Sequence, residues 1–600
     1  MINNNRDSIR IASLVIIGLF ILFTIRLWQL QVLQGKEYRK ISTENMLRII
    51  KIPAPRGIIY DRNGIPLVKN SPYFYASLMP EHLENVDINS LAEILGLNSV
   101  DLYAKINKKR LNPFEPIKLK ESLTFAEIAA VEARRSDFPG LIIDIDMSRE
   151  YLYGDVGAHL IGYLGKINPS QSKDPEFRDV PPDAFIGQWG AELLFDRTLR
   201  GTFGERIIEV DALGREIRPL QDKPPVKGDD LRLSIDINLQ KAAEELYADR
   251  AGALVALNPN TGEVLGFVSK PSFDPNKFAR GISYDQWIEL NQDKKLPMLN
   301  RALQSQYPPG STFKIVTATA ALNEGVITPE TKVNCSGGIN YGAWRFGCWK
   351  KNGHGTISLH RAIVESCDVY FYEAGKRVGI DKLAEYARRL GLGSETGLPL
   401  VKERAGLIPD TKWKLEKRNQ QWYLGETFNA AIGQGYVAVT PMQMAQLMSA
   451  VANGGFIYSP TIIKLETLPS PARKADVKPE TLELVKNGLY GVVNEAGGTG
   501  GASRSKIVTV GGKTGTAQVV GIRKSSNLLP ERFRDHAWFV AFAPVEKTEI
   551  ALCAFVEHGG HGGGVAAPIA KLAIEGYFKN KEAEKIQGSK EQKKDKNAEN

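Results

Sequence analysis

Tyr307-Pro308-Pro309-Gly310-Ser311-Thr312-Phe313-Lys314 runs straight into Ile315-Val316-Thr317-Ala318-Thr319-Ala320-Ala321-Leu322. Two prolines and a glycine block a helix upstream. The Ala-rich run behind them meets no breaker until Gly325, a residue type common just past a helix end. The stretch therefore predicts a buried helix opened by Ser311. Lys314 falls within one turn of Ser311, on the same face. A hydroxyl and an amine held that close form a nucleophile–base pair, provided burial or nearby positive charge lowers the amine's pKa. Spacing alone does not single this pair out, because Ser170 with Lys173 and Ser503 with Lys506 repeat it. Neither of those has the Pro-Pro-Gly lead or an apolar helix behind it.

Two further motifs lie downstream, Ser366-Cys367-Asp368 and Gly512-Lys513-Thr514-Gly515-Thr516. Alone, the first reads as a helix cap and the second as a turn. Together, in this order after Ser311, they resemble the active-site motifs of penicillin-binding transpeptidases. Leu299-Asn300-Arg301-Ala302, Ile432-Gly433-Gln434-Gly435, Thr440-Pro441-Met442-Gln443-Met444-Ala445 and Asp535-His536-Ala537-Trp538-Phe539 narrow the resemblance to class B. Within that class the chain resembles the penicillin-binding protein 2 subgroup, the transpeptidases of rod-shape elongation, from about residue 10 to about residue 577. The superfamily's usual second motif is Ser-x-Asn. Asp368 departs from it, as the subgroup does, with a carboxylate that accepts hydrogen bonds and donates none.

The resemblance implies a serine D-alanyl-D-alanine transpeptidase that cross-links peptidoglycan stem peptides through an acyl-enzyme on Ser311 and is inhibited by β-lactams. Lys314 would take the Ser311 proton, and Ser366 would relay one to the leaving amine. Lys513 would depress the Lys314 pKa and attract the substrate carboxylate. Asp368 would complete the second motif. Thr514, Gly515 and Thr516 would bind an extended peptide along a strand edge, with Gly515 admitting the substrate backbone. Backbone N–H groups of Ser311 and Thr516 would form the oxyanion hole. One competing reading is a β-lactamase or sensor-type acyl-serine protein. The long non-catalytic region opposes it, as does the lack of a clear deacylating carboxylate. The other is a non-catalytic activator or scaffold of a membrane glycosyltransferase, which the intact Ser311, Lys314 and Lys513 oppose.

Six hundred residues exceed a single core, so more than one domain is expected. The net charge of +9 is spread along the chain. With no compact basic patch beside an aromatic platform, nucleic acid is not an expected partner, whereas an anionic membrane or wall polymer fits. Residues 11–25 are continuously apolar or small and predict a transmembrane helix over 9–33, with a cytoplasmic tip at 1–8. Arg26 would snorkel and Trp28 anchor at the interface. No small-x-small cleavage site follows. Flanking charge does not decide orientation; the resemblance implies an inner-membrane anchor with the bulk exported to the periplasmic side.

Residues 34–227 resemble the pedestal, or dimerisation-type, domain of class B enzymes, opening on Pro55-Arg56-Gly57-Ile58-Ile59-Tyr60-Asp61-Arg62-Asn63-Gly64. Asp61-Arg62-Asn63-Gly64 reads as a hairpin turn with no chemistry of its own. Residues 89–112 and 121–135 carry helical periodicity, with Ser90 and Glu93 as a capping box. Residues 228–578 predict an α+β transpeptidase domain, in which a hairpin over 253–268 and strands at 537–543 and 550–557 close one antiparallel sheet around intervening helices. Residues 579–600 are charged without apolar spacing and predict a disordered tail. The pedestal and membrane helix imply, through the resemblance, a SEDS-type glycosyltransferase partner in the elongation complex.

The chain has four cysteines, and Cys335, Cys348 and Cys367 cluster with His354 in a Gly-rich stretch. Cys₃His is a regular structural zinc set, although the spacing is not that of a zinc finger. Some penicillin-binding protein 2 enzymes carry zinc here, and the resemblance matches at His354 and Cys367. A Cys335–Cys348 disulfide and an unligated, reduced set are the rival readings.

Overall fold

The computed structural model describes residues 3–36, 38, 46–80, 86–109, 116–182, 184–211, 216–400, 402–519 and 530–598. Helix α1 (Asn3–Trp28) continues as a wider turn over Gln29–Leu33. The stretch Ile11–Leu33 is long and apolar enough to cross a membrane, and none of it is buried. Leu14, Phe20 and Leu22 are all more than 60 % exposed, an arrangement that water does not favour and lipid does.

The chain divides into two compact units. The first gathers residues 1–56, 71–148 and 200–229. It contains an antiparallel sheet in which Gly204–Val210 lies between Leu47–Ile52 and Glu216–Lys223. It also contains short helices over Ile88–Ile94, Ser99–Lys109 and Phe125–Ala133, which bury Leu91, Leu102, Ile106 and Val131 in one cluster. The first of these helices is capped by Asp87, which accepts from the Asn89 N–H. Ser90 and Glu93 lie inside the helix, so the reciprocal capping box sits at Thr124 and Glu127 instead.

The second unit comprises residues 57–70, 149–199 and 230–600. Packing therefore does not follow the boundary expected at 227/228, because two stretches of the expected pedestal belong here. The physical reason is burial. Ile59, Val68 and Leu160 share one core with Leu233, Ile235 and Val255. A fully buried ion pair joins Arg149 to Glu192 at 2.7 Å, and Arg149 also donates to the Gly57 carbonyl. Asp61 accepts from the Asn63 and Ile65 N–H groups of its own turn and from the Ile237 N–H. The hairpin turn is thus pinned to the start of helix α2 (Ile237–Glu245).

The centre of this unit is a five-stranded antiparallel sheet, as expected. Its strands are β1 (Gly252–Leu257), β2 (Val264–Lys270), β3 (Gly511–Ala517), β4 (His536–Ala543) and β5 (Ile550–Val556), in the order β2-β1-β5-β4-β3. Alternate residues face opposite sides. Leu254, Phe539 and Leu552 pack with Leu239 of α2 and with Ile574, while Val255, Val540 and Phe542 join the larger core around Phe313 and Met442. Helix α3 (Lys314–Asn323) follows a 3₁₀ turn over Gly310–Phe313, so the helix predicted behind Ser311 is present and ends before Gly325. Helix α4 (Asp368–Val378) begins at the second motif.

The C-terminal helix spans Ala566–Ala598. Its first half is docked on the sheet, which supplies the nucleus for the Lys- and Glu-rich continuation. An ion pair between Lys581 and Glu549 carries the docking past Phe578.

Candidate active site

The turn that carries Ser311 is fixed from several directions. Tyr307 N–H donates to the Val439 carbonyl at 3.0 Å and Gly310 N–H to the Gly433 carbonyl at 2.9 Å. Trp538 Nε1 donates to the Pro308 carbonyl at 3.0 Å. The Tyr307 hydroxyl donates to Glu557, which also accepts from Arg301 Nε at 3.0 Å. Glycine permits the closest approaches. A Cβ at Gly310 would lie 2.4 Å from the Thr516 carbonyl oxygen, and one at Gly515 would lie 2.7 Å from the Pro309 carbonyl oxygen. Gly515 is thus needed by the serine turn itself.

The three motifs meet around Ser366. Lys314 is buried and its Nζ donates to the Ser366 carbonyl at 2.8 Å, to Ser366 Oγ at 3.2 Å and to Asp368 Oδ1 at 2.7 Å. An ammonium has three donors, so the second motif takes all of them. Lys513, also buried, donates from Nζ to the same Ser366 Oγ at 2.8 Å. Ser366 Oγ therefore lies between two buried amines. Its backbone adopts φ +55°, a left-handed conformation uncommon for serine. Such strain persists where the surroundings over-determine it, and functional sites are where it collects.

Burial holds Lys513 well below the usual amine range; the Lys314 charge adds to the effect and Asp368 opposes it.

Asp368 uses both carboxylate oxygens. Oδ1 accepts from Lys314, and Oδ2 accepts from the Trp349 backbone N–H at 2.8 Å. Trp349 also donates through Nε1 to the Glu365 and Ser366 carbonyls at 3.0 and 3.1 Å. The third motif lies on the edge strand β3, where Lys513 pairs with Val540 and Thr516 with Ala537 of β4. Thr514 Oγ1 is 2.9 Å from Thr499 Oγ1, and Gln434 Nε2 donates to the Thr516 carbonyl at 3.1 Å. Trp349, Thr499 and Gln434 were not assigned roles from sequence. Thr499 does lie in Gly497-Gly498-Thr499-Gly500-Gly501, and that concentration of glycine was the available signal.

Next to the second motif, Cys335, Cys348, His354 and Cys367 offer four ligand atoms that all lie within 4.8 Å of one another. The His354 side chain is fully buried, and its Nδ1 lies 3.5 Å from Cys335 Sγ and 3.6 Å from Cys348 Sγ. All four cysteines of the chain are free thiols, so Cys335 and Cys348 are not joined. The Cys367 thiol donates to Cys348 and holds it below the usual thiol range, and Cys367 is pushed up in return. Three sulfurs and an imidazole nitrogen around one point are a donor set of the kind a soft divalent cation such as zinc takes.

Residues 252–575 match the family model described as the penicillin binding protein transpeptidase domain, and residues 51–233 match the penicillin-binding protein dimerisation domain. A peptidoglycan D,D-transpeptidase MrdA of Acinetobacter baumannii is 37% identical over 582 residues, covering 93% of this chain and 85% of the relative. A penicillin-binding protein of Helicobacter pylori, solved in complex with MreC, superposes with a TM-score of 0.78 at 31% identity, over 89% of this chain and 99% of that one. A chain solved within a peptidoglycan synthase complex that coordinates polymerization and crosslinking superposes with a TM-score of 0.71 at 33% identity, over 95% of this chain and 98% of that one.

Proposed function

This chain belongs to the penicillin-binding transpeptidases, and from that premise we propose that it is a peptidoglycan D,D-transpeptidase with Ser311 as its nucleophile. The observation that carries the assignment is Ser366 Oγ, held 3.2 Å from Lys314 Nζ and 2.8 Å from Lys513 Nζ, at the meeting point of three motifs far apart in the chain. The relatives' naming as transpeptidases leaves the scaffold and β-lactamase readings without support.

The residues then divide the chemistry as follows. Lys314 in its neutral form has a lone pair one turn from Ser311. Ser366 Oγ, between Lys314 and Lys513, can carry onward the proton that Lys314 captures. Ser311 Oγ attacks the carbonyl of the penultimate D-Ala and gives its proton to Lys314. Backbone N–H groups of Ser311 and Thr516 receive the oxyanion, each donor worth about 2.7–4 kcal/mol in comparable acyl transfer. As the C–N bond breaks, Ser366 gives a proton to the departing D-Ala amine and takes the one held by Lys314, which leaves both as they began. The acceptor amine of a second stem peptide resolves the acyl-enzyme and restores Ser311. An extended substrate lies along β3, with Thr514 and Thr516 at its terminal carboxylate. A β-lactam imitates that dipeptide and stops at the acyl stage.

Three finer readings accompany this one. Helix α1 anchors the chain in the inner membrane by a single pass, with the two units on the periplasmic side. Its partners are elongation proteins: the Helicobacter relative was solved with MreC, a second likeness was solved in a complex that coordinates polymerization and crosslinking, and we read the polymerizing partner of this chain as a SEDS-type glycosyltransferase. Cys335, Cys348, His354 and Cys367 hold a structural zinc, which would close the loop that carries Trp349 against Asp368.

The test of the nucleophile is intact-mass measurement after exposure to penicillin. Wild type should gain one penicilloyl group on Ser311, and Ser311→Ala and Lys314→Ala none. Adducts on Ser170 or Ser503 would reject the assignment.

A further inference from the structure

The turn Asp61-Arg62-Asn63-Gly64 has no part in the chemistry above, yet it borders a cavity of about 440 Å³. That volume lies within the range of small-molecule sites. Three other segments converge on it: the β1–β2 turn through Asn258 and Asn260, the β4–β5 turn through Lys547 and Glu549, and the C-terminal helix through Tyr577 and Lys581. All of these residues belong to the same compact unit. The cavity opens at the Ala543 end of β4, whereas Thr516 pairs with Ala537 near the other end. At about 3.4 Å per residue, some 20 Å of strand separates the cavity from the candidate active site.

The charges around it do not cancel locally. Lys581 is paired with Glu549. Asp236, the other acid in the lining, keeps its charge and accepts through Oδ1 from the N–H groups of Asn238 and Leu239 at the start of α2. The lining therefore carries three cations against two carboxylates, with Arg62 and Lys547 outside the Lys581–Glu549 pair. Arg62 Nη1 is shielded from solvent without a hydrogen-bond partner, and Lys547 has no ion pair among the described residues. A buried guanidinium donor left unpaired is costly. The arrangement is held, however, because Asp61 locks the turn and the Arg62 N–H donates to the Ile235 carbonyl at 2.9 Å. Around these two cations stand the neutral polar groups of Asn258, Asn260 and Tyr577, beside the apolar face of Leu468.

We propose that this cavity is a second binding site, taking a hydroxyl-bearing small molecule whose phosphate or carboxylate group is gripped by Arg62 and Lys547. A planar guanidinium fork matches both anions, and Lys547 adds a point charge. The asparagines and the Tyr577 hydroxyl suit a sugar or glycerol body. The group could come from a carboxylated wall sugar or from a phosphorylated lipid headgroup, and binding measurements separate the two.

The experiment is calorimetric titration of the full-length protein in detergent with N-acetylmuramic acid and, separately, with glycerol 1-phosphate. Saturable binding at one equivalent is expected for at least one probe. The affinity should fall by about tenfold or more in Arg62→Gln and in Lys547→Glu, a loss of the size expected for one charge-assisted contact. Penicillin acylation of Ser311 should be unchanged in both. Preference for the first probe identifies a wall-derived carboxylate, and preference for the second a headgroup phosphate. Lys547 is exposed, so Lys547→Glu decides the matter should Arg62→Gln fail to fold. No saturable binding of either probe up to about 10 mM overturns the proposal, since weaker binding would carry less than about 3 kcal/mol. Equal binding by wild type and both variants overturns it too.

Discussion

Asp368 shows how one atom's difference sets a site. With Oδ1 on Lys314 and Oδ2 on the Trp349 N–H, both oxygens act as acceptors. An amide has one acceptor oxygen and would turn its NH₂ toward one of these donors. Asp368→Asn should therefore slow penicillin acylation by about tenfold to a hundredfold, the cost of leaving one buried donor unsatisfied at about 1–3 kcal/mol. Stopped-flow labelling with a fluorescent penicillin measures it, and an unchanged rate would remove Asp368 from the positioning of Lys314. The residues themselves were legible in the sequence, because Ser311, Lys314, Ser366 and Lys513 stand in recognisable motifs. Their division of labour was not. Burial created by distant segments is what depresses Lys513. The Trp349 contribution comes from a backbone N–H, which no side-chain pattern advertises.

Among the elements, the serine turn and β3 touch backbone to backbone. A methyl at Gly515 would lie 2.7 Å from the Pro309 carbonyl oxygen and 3.0 Å from Trp538 Cβ. Gly515→Ala should accordingly cost about 1–3 kcal/mol, typical of overpacking, and should displace Ser311 enough to lower acylation. Calorimetric melting paired with labelling checks both effects, and a variant with wild-type Tm and labelling would show that the turn yields freely. The loop bearing Cys348 and Trp349 makes a separate prediction. If zinc closes it, the purified protein should contain about one equivalent, and chelation should lower Tm and slow acylation, since metal binding is folding free energy. Less than about half an equivalent would reject the site, given the affinity of closed thiolate sets. The strands were readable from apolar runs bounded by turns. Composition alone does not reveal that residues 579–598 follow directly on a docked helix.

For the whole molecule, the sheet and its two apolar faces were foreseeable, but the grouping of residues 57–70 and 149–199 with the catalytic unit was not. That grouping depends on the buried Arg149–Glu192 pair and on core sharing across more than a hundred residues of chain. It also sets a pH response. Burial holds His159 at about 4, and burial together with the His558 charge holds His536 at about 4. An unfolded histidine titrates near 6.5. Between these values the unfolded chain binds protons that the folded one refuses, so these residues cost stability as pH falls from about 6.5 to about 4, and no further below that. Scanning calorimetry across this window should show Tm falling more steeply for wild type than for His159→Phe. Parallel curves would show that His159 does not contribute.

The bare α-carbons at Gly310 and Gly515 also bear on how resistance to inhibitors could evolve. Mutations that defeat a drug commonly add bulk where it sits, yet at these two positions even a methyl group collides with the protein's own main chain before it meets any inhibitor. Escape must therefore be sought at neighbouring side chains that can change size, such as Thr499 and Gln434, and an inhibitor that draws its affinity from the main chain of the serine turn and of β3 leaves the fewest such routes open.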